Sequence, residues 1–151
     1  MAITFKTGNI LDDDVAALVN PVNCVGVMGA GLAKQFKKKY PDMFEEYVEA
    51  CNSGTFKIGN VHAFAAADGH YILNFPTKYD WRDPSKVDYI NDGLNTLYTA
   101  LPNLGIRSIA IPPLGCGLGG LEWEVVKPMI VGWHDQLNEV WEFELNLYEP
   151  K

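Results

Sequence analysis

Apolar and polar positions follow two alternating periodicities along the chain. Short β-prone runs occupy Ile3–Lys6, Ala16–Asn20, Val61–Ala66, Tyr71–Phe75, Ser108–Ile111 and Val140–Tyr148. In the last, Val140, Glu142, Glu144 and Asn146 alternate with Trp141, Phe143, Leu145 and Leu147, which predicts a strand with one polar, uncovered face. The other runs are mostly apolar, as expected of strands buried on both faces. Between them lie helical stripes. Val87, Ile90, Leu94, Leu97 and Leu101 recur at spacings of three and four. Asp83-Pro84-Ser85 reads as the start of that helix, with Asp at the N-cap and Pro in the first turn. Trp123, Val126, Ile130, Trp133 and Leu137 form a second stripe; Pro128 lies inside it, so the regular helix is expected to begin near that proline. Gly31–Tyr40 reads as a helix ended by Pro41, and Pro41–Cys51 as the next helix. The order ββαα-ββ-α-β-α-β predicts a mixed sheet covered by helices on both faces.

Composition narrows the class. The 151 residues fit one domain, long enough to sustain a core without disulfides or metal. With 48% apolar and 21% charged residues, the balance is that of a folded chain and argues against disorder. No run nears the ~20 apolar residues of a membrane span, and MAITFKTGN lacks a signal-peptide core. A net charge of −7 argues against tight, sequence-blind attachment to duplex DNA or an anionic membrane. Cys24, Cys51 and Cys116 are odd in number and form no CxxC, which points to a reducing, cytoplasmic setting without structural zinc.

Two glycine-rich segments stand between a strand and a helix: Gly26-Val27-Met28-Gly29-Ala30-Gly31 and Gly115-Cys116-Gly117-Leu118-Gly119-Gly120. Glycine lets backbone N–H groups curl around an oxyanion, and the helix N-terminus behind adds partial positive charge. Each loop alone reads as a tight turn. Two in equivalent places, beyond the carboxyl ends of strands, point to a diphosphate or dinucleotide-like ligand. Familiar phosphate motifs fail, however. Leu32-Ala33 follows Gly31 where a P-loop needs Lys-Ser/Thr, and Lys34 stands where a dinucleotide fingerprint needs its third glycine.

Asn74-Phe75-Pro76-Thr77-Lys78-Tyr79-Asp80-Trp81 sets a lysine just past a strand end on the same face. Lys78 is either a solvated charge or a functional amine that pairs with phosphate or attacks a carbonyl. Asp80 is either a turn former or an acid/base partner, and Tyr79 and Trp81 either pack or stack on a base. His62, His70 and His134 show no metal-ligand spacing and read as lone surface or strand histidines. Cys116, without a histidine partner, reads as a small neutral residue in a tight turn. Lys37-Lys38-Lys39 reads as a solvated helix face and Asp12-Asp13-Asp14 as an exposed turn.

Together these segments resemble the macrodomain family. Thr7-Gly8-Asn9-Ile10 is similar to its G-D-I/L turn and Val19-Asn20-Pro21-Val22-Asn23 to its V-N-x-x-N strand end. Val25–Gly31 with Gln35-Phe36-Lys37, Asn74–Lys78, and Pro112-Pro113-Leu114-Gly115-Cys116-Gly117 resemble the DNA ADP-ribosyl glycohydrolase macrodomains of DarG-type bacterial antitoxins. The eukaryotic terminal ADP-ribose glycohydrolase is a more distant likeness. The resemblance spans essentially the whole chain and implies a three-layer α/β/α fold around a six-stranded mixed sheet.

The resemblance also implies roles. Asn9 and Ile10 would meet adenine. Asn20 belongs to the strand-end motif, and Asn23 would meet the distal ribose. Met28, Gly29, Gly31 and Leu32 would line that ribose and its phosphate. Thr77, Pro112 and Leu114 would flank the cleft, with Gly115, Cys116, Gly117, Leu118, Gly119 and Gly120 cradling the diphosphate. Lys78 would be catalytic, acting on the anomeric carbon. The substrate implied is thymine-linked ADP-ribose on single-stranded DNA. No metal or redox cofactor is implied. A DNA ADP-ribosyltransferase toxin is the implied partner, and the chain is either an excised domain or a stand-alone enzyme. Two positions depart from the family. Asn9 replaces the usual aspartate and forfeits roughly 1 kcal/mol of charge-assisted bonding to adenine. Gly119 stands where the eukaryotic enzyme has a catalytic aspartate. The same pocket would suit protein-linked ADP-ribose, O-acetyl-ADP-ribose or ADP-ribose 1″-phosphate, or a reader that binds without hydrolysis.

Overall fold

A computed structural model describes residues 3–151. Its sheet has six strands: β1 (Ile3–Lys6), β2 (Ala17–Val22), β3 (His62–Ala65), β4 (Tyr71–Pro76), β5 (Ser108–Ile111) and β6 (Glu144–Tyr148). Their spatial order is β1-β6-β5-β2-β4-β3. β1–β6, β5–β6, β2–β5 and β2–β4 pair in parallel, and β3 pairs antiparallel with β4 at the edge. The four helices are α1 (Gly31–Lys39), α2 (Pro41–Asn52), α3 (Val87–Leu104) and α4 (Trp123–Asn138).

Alternation along the strands builds the three expected layers. Val19, Phe75, Ile111 and Leu145 face one way and pack with Ile90, Leu94 and Leu97 of α3 and Val126, Ile130 and Trp133 of α4. Leu18, Ile72 and Ala110 face the other way, against Phe36 of α1 and Met43 and Tyr47 of α2. The close approach of α3 to the sheet depends on Gly93, where an added methyl would overlap the Phe75 ring. α1 and α2 break at Tyr40, which precedes Pro41 and adopts φ −127°, ψ 69°, outside the helical region that a following proline disfavours.

Several local expectations are corrected. First, α3 begins at Val87, with Lys86 at its cap. The Asp83-Pro84-Ser85 stretch is not its start, because the Ser85 N–H donates at 2.9 Å to the carbonyl of Gly119. Second, α4 begins at Trp123, five residues before Pro128. The acceptor that Pro128 leaves unbonded is the carbonyl of exposed Glu124, which water can reach. Third, Val140–Phe143 is not strand: Val140 and Trp141 both donate to the Leu137 carbonyl, closing off α4 before β6 begins. The polar face of β6 is exposed at Glu144 but covered toward the carboxyl end. Asp13, expected in an exposed turn, is buried there and accepts from the Tyr148 hydroxyl at 2.7 Å and the Asn146 amide at 3.0 Å. Fourth, His134 is buried within α4, with Nε2 3.2 Å from the Phe143 carbonyl. Among the described residues, no helix is long and apolar enough to cross a membrane.

Candidate active site

The sheet opens where the chain changes direction. β5 pairs with β2 at Ala17 and Leu18, leaving the carboxyl half of β2 free on that side. Val22 turns its carbonyl to Thr77, so Pro21, one residue back, faces the open side, where its missing N–H leaves no bond unmade. β2 and β5 thus part at their carboxyl ends, while β2 and β4 stay paired to Val22 and Pro76. Such an opening beyond strand ends is the position at which open α/β sheets bind ligands. The cavity there has a volume of about 570 Å³, within the range of small-molecule and cofactor sites.

Three segments build its walls. The first is the loop after β2. Asn23 Oδ1 accepts from the N–H groups of Val25 and Val27 at 3.1 and 3.4 Å and from the Tyr47 hydroxyl at 2.8 Å, while Nδ2 donates to the Val27 carbonyl at 2.8 Å. Both ends of this amide therefore shape the loop. Gly26 turns it at φ +81°, a conformation that L side chains rarely adopt. The second wall is Gly115–Gly120, with positive φ at Gly115, Gly117 and Gly120. The third is Lys78–Ser85, which bridges the other two: the Cys24 N–H donates to the Tyr79 carbonyl at 2.8 Å, and Ser85 holds Gly119.

Of the residues expected at the site, Asn23, Met28, Gly29, Gly31, Leu32, Thr77, Lys78, Pro112, Gly115, Cys116, Leu118 and Gly119 line this one cavity. Asn9, Ile10, Asn20, Leu114, Gly117 and Gly120 do not. Asn9 is exposed and caps a short 3-10 turn (Ile10–Asp12), accepting from the Leu11 N–H at 3.0 Å. Ile10 and Leu114 are core residues. Asn20 lies buried behind Met28; its amide donates to Asn74 Oδ1 at 3.0 Å, and its own carbonyl oxygen has no partner. Pro21, Val22, Val27, Ala30, Ala33, Pro113, Trp81 and Ser85 complete the lining. The loop and strand-end motifs already span Pro21, Val22, Val27, Ala30 and Pro113, and Trp81 reads from sequence as either packing or stacking. Sequence reasoning gives Ala33 and Ser85 no ligand role. The prolines carried a signal, since they fall where strands stop pairing. Ser85 carried none, because the bond that places it comes from Gly119.

The chemistry of the walls is uneven. Lys78 Nζ donates to the Trp81 carbonyl at 3.3 Å. Asp80 is not free for acid/base work: both carboxylate oxygens bind the Arg82 guanidinium, at 2.9 and 2.8 Å, and these bonds hold its pKa at about 2. Burial, with Glu124 nearby, pushes the Cys116 thiol above its ordinary value, so it is neutral at pH 7, as expected of a turn residue. Among the described residues, no three His, Cys, Asp or Glu side chains are grouped as metal ligands.

The arrangement has clear relatives. The Macro domain family model matches residues 19–130. A DNA ADP-ribosyl glycohydrolase of Mycobacterium tuberculosis is 49% identical over 141 residues, covering 91% of this chain and 40% of that protein. The chain thus spans about two fifths of the length of that curated relative. The solved macrodomain of Mycobacterium tuberculosis DarG superposes with a TM-score of 0.93 at 46% identity, covering 99% of this chain and 98% of that one. The structure of Thermosipho africanus DarTG in complex with ADP-ribose superposes with a TM-score of 0.87 at 32% identity, covering 98% and 41%. With its strand-end cavity, two glycine loops and matching lysine segment, the chain belongs to the macrodomain family.

Proposed function

We propose that this macrodomain binds ADP-ribose across the cleft and hydrolyses its bond to a thymine base of single-stranded DNA, with Lys78 as the catalytic residue. The observation that carries the reading is the convergence of Lys78 with both glycine loops on one cavity. The activity for which its relative is named supports the choice of substrate.

In this reading the Gly115–Gly120 amides receive the diphosphate, and the first loop and the start of α1 receive the distal ribose and its phosphate. Lys78 Nζ attacks the anomeric carbon. The carbon–thymine bond breaks, its electron pair leaves with the base, and the base takes the proton that the amine gives up. The sugar ring of the adduct opens to an imine as Nζ passes its proton to the ring oxygen. Water then adds to the imine carbon, the carbon–Nζ bond breaks with the amine taking a proton, and the ring recloses, releasing ADP-ribose and restoring the lysine. Asn9 and Ile10 border adenine. The three free cysteines support a reducing, cytoplasmic setting. The likeness to antitoxins supports a DNA ADP-ribosyltransferase as partner.

A substrate panel tests the reading: an oligonucleotide with thymine-linked ADP-ribose, an ADP-ribosylated protein, O-acetyl-ADP-ribose and ADP-ribose 1″-phosphate. The DNA substrate should show the highest kcat/KM, by about tenfold or more. Faster release from protein would replace the substrate class. Tight ADP-ribose binding with no release from any of them would make the protein a reader.

A further inference from the structure

The rim of the cleft beside Lys78 carries an aromatic surface that this chemistry leaves unused. Trp81 lines the cavity yet is 56% exposed, and neighbouring Tyr79 is 49% exposed. Neither ring fills the core, and large exposed aromatics grouped at a cleft mark a binding surface. The indole is also held in place. The Arg82 guanidinium lies 5.4 Å from its centroid and is fixed there by the two-pronged bond to Asp80, with the Arg82 N–H adding a third bond at 3.0 Å. Behind it, Tyr79 stands edge-on to Tyr89 at 5.5 Å, and Lys86 lies 5.8 Å from the Tyr89 centroid.

Position and charge define what fits here. Lys78 acts at the anomeric carbon, so the leaving base and the strand attached to it leave the cleft on the Lys78 side, where Trp81 stands. Lys78, Arg82 and Lys86 are cancelled by Asp80, Asp83 and Asp88, so this stretch is electrically balanced within a chain of net charge −7. Such a surface gains little from backbone phosphates and is suited to the uncharged π-face of a base.

We propose that Trp81 is a stacking platform for the nucleotide flanking the modified base of single-stranded DNA. This deepens the reading above and rests on it for the identity of the strand. Every base offers a π-face, so the contact tolerates any sequence and still directs the strand out of the cleft. The bond from Lys78 Nζ to the Trp81 carbonyl couples the platform to the catalytic amine.

The test uses Lys78→Ala, which should hold the substrate without turning it over. Affinity is measured for free ADP-ribose and for a single-stranded oligonucleotide carrying ADP-ribose on an internal thymine, with and without Trp81→Ala or Trp81→Phe. The strand should tighten binding by about tenfold, Trp81→Ala should abolish most of that gain, and Trp81→Phe should keep most of it. No gain from the strand, a gain that survives Trp81→Ala, or an equal loss for free ADP-ribose and oligonucleotide would each overturn the proposal. Wild-type turnover of the same oligonucleotide judges the parent reading separately. A Trp81-dependent gain without release would leave the strand site standing and remove the glycohydrolase.

Discussion

The Nζ of Lys78 donates to the backbone carbonyl of Trp81 at 3.3 Å, so the amine proposed to do the chemistry is held by the loop proposed to meet the DNA. An arriving anomeric carbon has to draw the amine off that carbonyl. The first prediction concerns the role of the amine. Lys78→Arg keeps the charge and a donor for the carbonyl but loses the nucleophile. If Lys78 attacks the sugar, Lys78→Arg should lose at least ~100-fold in kcat while ADP-ribose affinity changes little. Borohydride should then trap an adduct with the wild type only. Activity within about tenfold of wild type would make Lys78 an electrostatic stabiliser instead.

Gly119 predicts why a carboxylate cannot simply be grafted from the eukaryotic pattern. A Cβ at this position would overlap Ser85 Oγ, within the segment that carries Lys78. Gly119→Asp should therefore weaken ADP-ribose binding about tenfold rather than speed release, and adding Ser85→Gly should recover most of the loss. Calorimetric titration of the single and double variants checks this; unaltered binding by Gly119→Asp would contradict it.

Asp13 predicts an acid-sensitive element of stability. Burial alone would raise its pKa, but hydrogen bonds from Tyr148, Asn146 and the Val15 N–H, with the charge of Lys6, outweigh burial and lower it. A carboxylate whose folded pKa is depressed stabilises the fold above its unfolded value, near 3.9, and loses that contribution as pH falls through the folded value. Asp13→Asn should cost about 1–3 kcal/mol at pH 7, with the gap to wild type closing below about pH 4. Urea unfolding across that range reads it out; a gap independent of pH would contradict the assignment.

Salt should matter little. With a net charge of −7 and a balanced rim at Lys78–Asp88, few phosphates are neutralised by the protein. The logarithm of kcat/KM against that of salt should fall with a slope no steeper than about −1, equivalent to a single phosphate contact. A slope of about −4 or steeper would point to a phosphate-tracking surface.

The sequence carried the layers well and the junctions poorly. The stripes of α3 and α4 and the apolar runs of the parallel strands are set by burial, which periodicity reports directly. The misplaced features were decided by distant partners. The cap signal at Asp83 lost to a bond between Ser85 and Gly119, and Asp13, in an apparently solvated acidic run, is claimed by Tyr148 and Asn146 from β6. The site was legible for the same reason in reverse. Glycine loops and the lysine segment follow strand ends, so topology alone brings them together. Ser85 and the exposed setting of Trp81 depend on how the bridging segment folds, which no local pattern encodes.

The most direct measurement incubates single-stranded DNA carrying thymine-linked ADP-ribose with the wild type and with Lys78→Ala, following recovery of unmodified DNA. The account predicts rapid recovery with the wild type and a loss of at least ~100-fold in the variant. Equal rates would remove Lys78 from the mechanism, and ADP-ribose binding without recovery by the wild type would contradict the proposed activity itself.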